Sequence, residues 1–409
     1  MFNDLYLGKD RCRGKEDGEG RMMLWNRNFI LVNLGNFLMY NAFYMLLPIL
    51  PLYLANQLQA SESVIGTILS LYTIAALITR PIAGFWLDKV ARKPLMMCFY
   101  MFYISMCASY TLAASLGLFF IIRFVHGIAF GSATVGINTM AVDIIPEQRR
   151  GEGLGIYTSS TSLAMATGPV ISLFMHENGI PFDTIFIAVF CVGLSGFLCA
   201  ANIKPRKDIE RSTRKFSVKN LLLNAGLPEA AVMVLLTFGY GIITVYLSIY
   251  AKEEVGLTQG VGYYFTIFSA GLVAARLSSA MILRSGRFIL VFALGIISLI
   301  IGFFIVAFIH NPVAFYSSAI CMGIGYGLIS PTAQTMIINL GKDTERGAAN
   351  ATYLTFFDLG VGAGVFFGGI IAQYSNYSTA YAVGFAFTII GLIYLLTFIR
   401  KHFQTHRLR

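Results

Sequence analysis

One carboxylate, Asp358, stands in the middle of a long apolar stretch of the sequence, while most other acidic residues fall in polar segments or at the ends of apolar ones. A bare carboxylate in hydrocarbon is so unfavourable that this one must be protonated, paired or open to water. A carboxylate in such a setting can exchange a proton, which makes Asp358 the first candidate for proton coupling. The alternative is a structural Asp bonded to a neighbouring helix or a helix end.

Arg123 and His126 lie three residues apart in another apolar stretch, and Gly127 follows them. At helical spacing the two side chains share one side of a helix. An arginine inside a membrane helix normally faces a cavity or a partner. We therefore expect Arg123 and His126 to contribute to proton coupling. The alternatives are an arginine bound to backbone carbonyls and a histidine whose hydrogen bonds are satisfied in the core.

A polar turn follows the second apolar stretch and combines a glycine, an acid and a basic pair. Gly84 allows two helices to approach closely, and Asp88 suits the positive N-terminal end of another helix. Asp143, at the end of a later apolar stretch, is predicted to pair with Arg92 or Arg150. The predicted gating group comprises Arg80, Gly84, Asp88, Arg92, Lys93 and Asp143.

This turn resembles the signature loop of the major facilitator superfamily, in which Gly is followed four residues later by Asp and then by an Arg-Lys pair. Ala91 stands where the family usually has Gly. The spacing of Arg123 and Gly127 resembles a second motif of that family. The resemblance covers about residues 24–400. It implies an alternating-access transporter in which the loop locks the cytoplasmic side when the protein faces outward.

Gly168-Pro169 resembles part of the family's antiporter motif, although Ala164 occupies the position where a further glycine is usual. A proline inside a spanning helix kinks it and frees a carbonyl. The resemblance to drug and sugar-efflux permeases therefore favours proton-coupled efflux of a small solute. Proton-coupled nutrient uptake is the alternative. A membrane sensor without flux is a third possibility, against which the signature loop argues.

Polar side chains also recur at helical spacing within otherwise apolar stretches. In lipid such side chains turn inward, so they line either a water-filled cavity or an interface between helices. The predicted substrate cavity comprises Asn33, Asn36, Tyr40, Tyr44, Tyr240, Thr244 and Gln334.

The elements that position these residues are membrane helices. Hydrophobic residues make up 56% of the 409 residues and charged ones only 12%, too few to cover a water-soluble protein of this size. A spanning helix needs about 20 mostly apolar residues. We predict spans at 28–54, 64–87, 94–116, 118–142, 153–176, 182–203, 222–251, 261–283, 287–309, 312–340, 348–373 and 378–400.

The positions of the basic residues predict which loops and termini face the cytoplasm. All of the 30 Lys and Arg except Arg80, Arg123, Lys252 and Arg276 fall in the tails and in alternate breaks between spans. This is the positive-inside pattern, and it places both termini in the cytoplasm. It also argues against a nucleic-acid partner, despite the net charge of +10.

The two halves of the chain resemble each other at an offset of 196 residues. Arg80 matches Arg276, Gly127 matches Gly323 and Gly168 matches Gly364, with no gap. The sequence therefore predicts an all-α integral membrane protein with twelve transmembrane helices in two six-helix pseudo-repeats. The predicted boundaries are a disordered tail over 1–27, a first half over 28–203, a linker over 204–220, a second half over 221–400 and a cytoplasmic tail over 401–409.

Several features are expected to be absent. There is no GxxxxGK[ST] loop and no HExxH or similar metal-ligand pattern. We therefore expect a transporter rather than an enzyme, with no cofactor, no metal and a proton gradient as its energy source. Its expected partners are a small-molecule substrate, protons and the lipid bilayer. We further expect a monomer, a multi-pass location in the inner cell membrane, and His402 and His406 in water.

Overall fold

The computed structural model describes residues 24–146, 149–204, 222–283, 286–341 and 346–407. Within these ranges the chain is helical, with no strand. The long helices are α1 Arg27–Asn56, α2 Glu62–Lys89, α3 Arg92–Ser109, α4 Leu116–Ile144, α5 Arg150–Glu177, α6 Phe182–Ala201, α7 Leu227–Glu253, α8 Val261–Leu283, α9 Phe288–Phe308, α10 Pro312–Asn339, α11 Arg346–Tyr374 and α12 Tyr377–Tyr394. A short helix, α13 Arg400–His406, continues from α12 through Leu395–Ile399.

Polar side chains cap several of the helix starts. Asn26, Ser115, Asn311 and Asn376 precede α1, α4, α10 and α12, and each accepts a hydrogen bond from the backbone N–H three residues later. A helix start leaves its first N–H groups without partners, and these side chains satisfy one of them. The caps explain why these helices begin where they do, next to the short connections between spans.

Ten of the described helical segments are long and apolar enough to cross a membrane, and α5 and α8 fall outside that set. Both are long enough, at 28 and 23 residues, and both carry polar side chains. α5 carries hydroxyl residues at every position from 158 to 162, and α8 carries Arg276. The two helices pack against each other. All twelve predicted helices are present.

Helices α1–α6, the first group, pack among themselves by the scheme that α7–α12, the second group, also follow. In the first group α1 packs on α5 and α6, α2 on α4, and α3 on α4 and α6. In the second group α7 packs on α11 and α12, α8 on α10, and α9 on α10 and α12. The groups meet along two crossings, α2 with α11 and α5 with α8, with α1 against α7 between them.

Matching glycines produce matching helix crossings within the groups. A Cβ added at Gly127 would collide with the carbonyl oxygen of Tyr72, where α4 crosses α2. A Cβ added at Gly323 would collide with the carbonyl oxygen of Phe268, where α10 crosses α8. Both the glycines and the carbonyls they approach are 196 residues apart, so the offset found in the sequence recurs in the packing.

Two local features differ from what the sequence indicated. α3 ends at Ser109 and a single turn, Tyr110–Leu112, fills part of the predicted span 94–116. The region predicted as a tail over 401–409 is helical up to His406, and His402 Nδ1 lies 2.9 Å from Glu229 Oε1 instead of being solvated. The buried carboxylate at the start of α7 needs a partner, and α13 supplies it. Almost all of the predicted linker 204–220 and tail 1–27 lies outside the described residues.

Candidate functional site

Asp358 is paired in the structure, and its partner is Arg80. Asp358 lies on α11 and Arg80 on α2, so the ion pair joins the two groups of helices. The side chains of Arg80 and Asp358 are 22% and 21% exposed, which leaves the pair mostly enclosed but within reach of water. Of the three settings expected for Asp358, pairing is the one found. The sequence assigned Arg80 to the gate and Asp358 to proton coupling, and the structure joins both in one contact.

Two tyrosines surround this ion pair. Tyr40 from α1 and Tyr72 from α2 stand close enough to Arg80 to interact with its charge, and Tyr40 is also within electrostatic range of Asp358. The ring of Tyr40 stacks on that of Tyr44, with 6.2 Å between centroids. Tyr40 thus connects the ion pair to the space between α1 and the second group.

A matching contact occupies the other crossing. Arg276 on α8 donates a hydrogen bond to the Ser162 hydroxyl on α5. Arg276 lies 196 residues after Arg80, and Ser162 lies 196 residues before Asp358. The two arginines therefore occupy equivalent places, but one binds a carboxylate and the other a neutral hydroxyl.

Between the two crossings, the phenol of Tyr44 on α1 lies near that of Tyr240 on α7. These tyrosines are also 196 residues apart. Tyr240 Oη lies 3.0 Å from Met165 Sδ on α5. The open volume beside them is about 10 Å³, room for about one water molecule. Its lining is largely apolar and consists of Tyr44, Leu47, Met165, Pro169, Tyr240, Ile243, Thr244, Phe265 and Phe268.

Arg123 and His126 meet at one hydroxyl inside the first group. The guanidinium of Arg123 donates to Tyr110 Oη at 3.3 Å and lies 4.1 Å from the centroid of the Tyr72 ring. His126 Nδ1 lies 2.8 Å from the same Tyr110 oxygen, and its Nε2 lies 3.8 Å from Cys107 Sγ. Arg123 is 2% exposed and His126 is fully buried. Both are positioned in the core of the first group, away from the crossings.

The gating loop forms one of the two predicted pairs. Arg92 donates to Asp143 Oδ1 at 2.6 Å, which ties the start of α3 to the end of α4. Lys93 Nζ donates to the carbonyl oxygen of Ala201 at 2.7 Å, at the end of α6. The Asp88 side chain and that of Arg150 lie outside the described residues. The loop therefore fastens three helices of the first group at their basic ends, and its gating role stays a prediction.

Gly168 and Pro169 bring α5 against α1. A Cβ added at Gly168 would lie 2.7 Å from Tyr44 Cβ and 2.9 Å from the carbonyl oxygen of Asn41. Pro169 lines the small apolar space beside Tyr240. Gly168-Pro169, which resembles part of an antiporter motif, therefore lies next to the predicted cavity residues Tyr44 and Tyr240.

The predicted cavity residues divide into two sets. Asn33 Nδ2 donates to the carbonyl oxygen of Phe29 on its own helix, and Asn36 Nδ2 donates to the hydroxyls of Ser160 and Thr161 on α5. Gln334 donates to Asn350 Oδ1 at 2.6 Å, between α10 and α11. These three bond within or between helices of one group. The set that faces the space between the groups is Tyr40, Tyr44, Tyr240 and Thr244.

The ends of the two crossings away from the basic loops carry a further pair of contacts, called the rim here. Gln373 Oε1 on α11 accepts a hydrogen bond from Ser63 N at the start of α2, at 3.1 Å. The Glu177 carboxylate on α5 accepts from Gly260 N at 2.9 Å and from Val261 N at 3.1 Å, at the start of α8. In both cases a side chain from one group caps a helix of the other.

The chain was compared with known proteins. The sequence profile of the Major Facilitator Superfamily matches residues 32–342 and 291–408. This chain belongs to the Major Facilitator Superfamily. The transporter is 23% identical to Multidrug resistance protein 1 of Bacillus subtilis over 88% of this chain and 94% of that protein. It is 22% identical to the staphylopine export protein of Staphylococcus aureus over 85% of this chain and 89% of that one.

Solved structures share the transporter's fold at low sequence identity. A point mutant of the nucleoside transporter NupG superposes with a TM-score of 0.76 at 13% identity, covering 91% of this chain and 99% of that one. A bacterial homolog of the human lysosomal transporter Spinster, in an inward-facing and unoccupied conformation, gives 0.73 at 13% identity, with 93% and 98% covered. The fold is therefore that of the superfamily's multi-pass membrane transporters.

The sequence did not indicate several residues whose side chains form the contacts described above. Ser162 and Tyr110 lie among ordinary hydroxyl residues, while Glu177 and Gln373 end their helices like any polar residue. The offset of 196 residues was the available signal, since it relates Ser162 to Asp358 and Glu177 to Gln373. No comparable signal pointed to Tyr110.

Proposed function

We propose that this superfamily member is a secondary active transporter that works by alternating access and exports a small organic solute in exchange for protons. The observation that carries the proposal is the ion pair between Arg80 and Asp358. It is a titratable carboxylate paired across the boundary between the two groups of helices. A proton bound there alters a contact that the groups make with each other.

The direction of transport rests on the relatives. One is named a multidrug resistance protein and another a staphylopine export protein, and each aligns with more than four-fifths of this chain. Gly168-Pro169 supports the same direction, since it lies beside the central tyrosines. Uptake coupled to protons is the second candidate, favoured by Ala164 where the antiporter motif usually has glycine.

The arrangement of helices supports two six-helix pseudo-repeats in the inner cell membrane, with both termini in the cytoplasm. The packing scheme of α1–α6 recurs in α7–α12. Among the described hydrogen bonds between the groups, the rim contacts close the side opposite the basic loops, and those of Arg80 and Arg276 join the groups at middle depth. With the basic loops in the cytoplasm, this conformation faces inward.

In this conformation the ion pair is the described contact between α2 and α11 that lies farthest from the rim. The contact begins at the rim and includes Gly66, which approaches the backbone of Val365 and Phe366. Protonation of Asp358 removes one charge of the pair and with it the attraction between α2 and α11. A ligand or proton shifts a conformational equilibrium only through such a difference in interaction between states. The proton gradient is thereby linked to opening of the outer side.

The test is proton movement in energised inside-out vesicles during addition of a solute panel, comparing the unaltered protein with Asp358→Asn. The variant keeps the size and hydrogen-bonding capacity of the side chain but cannot exchange a proton. We expect the solute to release protons from vesicles of the unaltered protein and to release none from the variant.

Asp183→Asn is the matched control, because Asp183 is an exposed carboxylate at the start of α6. It should behave as the unaltered protein does. Solute-driven proton release that persists in Asp358→Asn would remove Asp358 from the mechanism. A response only in right-side-out vesicles would establish uptake instead of efflux.

A further inference from the structure

Helices α9 and α12 pack against each other, and each turns a stripe of exposed apolar side chains away from the protein. On both helices these side chains recur every three or four residues, which places them on one face. The stripes consist of Leu290, Leu294, Ile297 and Ile301 on α9 and of Ile390, Ile393 and Leu396 on α12 and its continuation. In a membrane protein such exposed apolar faces contact the acyl chains of lipids.

Both stripes end at a group of exposed basic side chains, termed the basic cluster. It consists of Arg287, Arg400, Lys401 and Arg407. The rings of Phe288 and Phe403 lie 5.6 Å apart between centroids, which joins the start of α9 to α13. Each cation of the cluster lies within about one turn of one of these two rings. The cluster therefore lies where the apolar faces stop, at the level expected for lipid headgroups.

The described part of the protein does not neutralise the basic cluster. Within the described residues, the four side chains form no hydrogen bond and no ion pair. The acid of the second group described at this end is Glu229, which is 1% exposed and bonds to His402. Its carboxylate is therefore buried and already engaged. The charges of the cluster are left to solvent or to an anion from outside these residues.

The equivalent end of the first group uses its cations differently. α3 corresponds to α9 at the offset of 196 residues, and it begins with Arg92 and Lys93. Arg92 donates to Asp143, and Lys93 donates to the carbonyl oxygen of Ala201. The cations beside the start of α3 thus bond within the protein, whereas those beside the start of α9 point to an external partner.

Packing holds α13, which carries most of the cluster, against the bundle. Phe403 is 1% exposed, and His402 bonds to the buried Glu229. The rings of Tyr394 and Phe398 stack with 5.5 Å between centroids, and that of Phe398 stacks on His402 at 5.9 Å. Aromatic side chains are enriched where acyl chains meet headgroups. These rings therefore place the cluster at the membrane boundary.

We propose that the basic cluster binds the headgroup of an anionic phospholipid whose acyl chains lie along the exposed stripes of α9 and α12. A soluble partner would match the cations alone, whereas a lipid matches both the charge and the apolar surface next to it. This lipid site lies outside the space between the two groups. It goes beyond the proposed function and does not depend on proton coupling.

The experiment determines which lipid lies beside α9 in the full chain reconstituted into liposomes. Leu294→Cys carries a fluorescent bimane label, with the native cysteines replaced by Ser. Quenching is compared between phosphatidylglycerol and phosphatidylcholine that carry a nitroxide on the same acyl chain. Because each basic residue near an anionic lipid surface contributes about fivefold in affinity, phosphatidylglycerol should be preferred about fivefold or more.

The first group offers a matched reporter. Cys98 is a native, exposed cysteine on α3 and lies 196 residues before Leu294. Labelled there, with the other cysteines replaced, the protein should show much less preference between the two lipids. The reason is that Arg92 and Lys93, which begin α3, bond within the protein.

Two double variants test whether the basic cluster is the source of the preference. One is Arg400→Gln with Lys401→Gln, and the other is Arg27→Gln with Lys204→Gln at the basic end of the first group. All four residues are exposed, and each double variant lowers the net charge equally. We expect the first to lose most of the preference at position 294 and the second to keep it. Unfolding temperatures in neutral detergent should be unchanged in both.

The contrary outcomes are distinct. Equal quenching by the two lipids at position 294 would overturn the proposal in favour of another anion, such as the acidic segment Asp208–Glu210. An equal loss in both double variants would overturn it as well, because net charge alone would then attract the lipid. Displacement of phosphatidylglycerol by free glycerol phosphate would assign the cluster to a soluble phosphate. These measurements report binding, so a failure of the proposed transport function would leave them unaltered.

Discussion

The crossing of α2 with α11 and the crossing of α5 with α8 occupy equivalent places but are built differently. A Cβ added at Gly66 would lie 2.9 Å from the carbonyl oxygen of Val365, so α2 and α11 touch through their backbones. A Cβ added at the equivalent Gly262 would lie 3.5 Å from Val170 Cα, an ordinary contact distance. The first crossing is tight, and the second has room to accept a side chain.

The carboxylates of the two crossings lie at opposite depths. In the crossing of α2 with α11, the acid is Asp358 in the middle of the span and the rim residue is the neutral Gln373. In the crossing of α5 with α8, the middle residue is the neutral Ser162 and the rim residue is Glu177. The carboxylate that bonds across the first crossing therefore lies within the bundle, and the one that bonds across the second lies at the rim.

This difference shows how two crossings with the same helix packing can differ in function. The packing glycines and the two arginines are common to both crossings, so the scaffold is shared. The positions that differ are those that determine charge. On the proposed function the first crossing responds to protons, and the variants below change one crossing while keeping the other as its control.

The largest effect is expected from Arg80→Met, which leaves Asp358 enclosed without its partner. Removal of one member of a mostly buried ion pair costs about 3 kcal/mol or more. The free energy of unfolding, measured by denaturant titration in detergent, should fall by that amount. Arg276→Met should cost less, because the described partner that it leaves behind is the neutral hydroxyl of Ser162.

The double variant Arg80→Met, Asp358→Leu provides the control for this comparison, since replacing both members of a buried pair by apolar residues is often neutral. It should recover most of the lost stability while losing proton-coupled transport. An equal loss of stability in Arg276→Met and Arg80→Met would mean that the two crossings do not differ in charge as described.

A smaller effect is expected from adding a methyl group at each packing glycine. Gly66→Ala forces the backbones of α2 and α11 apart and should cost about 1–3 kcal/mol of unfolding free energy. Gly262→Ala should be tolerated, because its added methyl group meets ordinary contact distances. The same denaturant titration measures both. If Gly262→Ala proved the more damaging of the two, α5 and α8 would have to pack more closely than the structure describes.

The smallest effect is expected at the rim, where it changes conformation more than stability. Glu177→Ala removes two charge-assisted hydrogen bonds to the start of α8, and Gln373→Ala removes one neutral bond to the start of α2. The first should raise outer-side opening by about tenfold and the second by a few-fold.

Opening is measured as the labelling rate of a single cysteine at Leu173 by a membrane-impermeant maleimide added from outside, with the native cysteines replaced by Ser. Leu173 is 2% exposed and lies beside Gly262, so it reacts only when the crossing opens. Glu177→Gln keeps one acceptor oxygen but loses the charge and the second acceptor, so its labelling rate should lie between those of the unaltered protein and Glu177→Ala. Labelling that is the same in all of them would exclude the rim from the gate.

Much of the fold could be predicted because the bilayer restricts the choices of the chain. A spanning segment must satisfy its own backbone hydrogen bonds, so each long apolar stretch becomes a helix. The exceptions have local causes: α3 stops early at a turn that holds Tyr110, and α13 extends the last helix because His402 finds Glu229. The local sequence pattern indicated neither the turn at Tyr110 nor the contact between His402 and Glu229.

The sequence by itself determined that Asp358 needs a partner or water, that the loop from Gly84 to Lys93 is basic, and that the two halves correspond at 196 residues. Only the tertiary structure decided that the partner is Arg80, 278 residues away along the chain, and that Ser162 stands in the equivalent place beside Arg276. A charged residue within an apolar stretch of sequence indicates that its charge must be neutralised by a partner, a proton or water. Which side chain supplies it depends on which helices cross and at what height, and that is fixed by packing between distant segments.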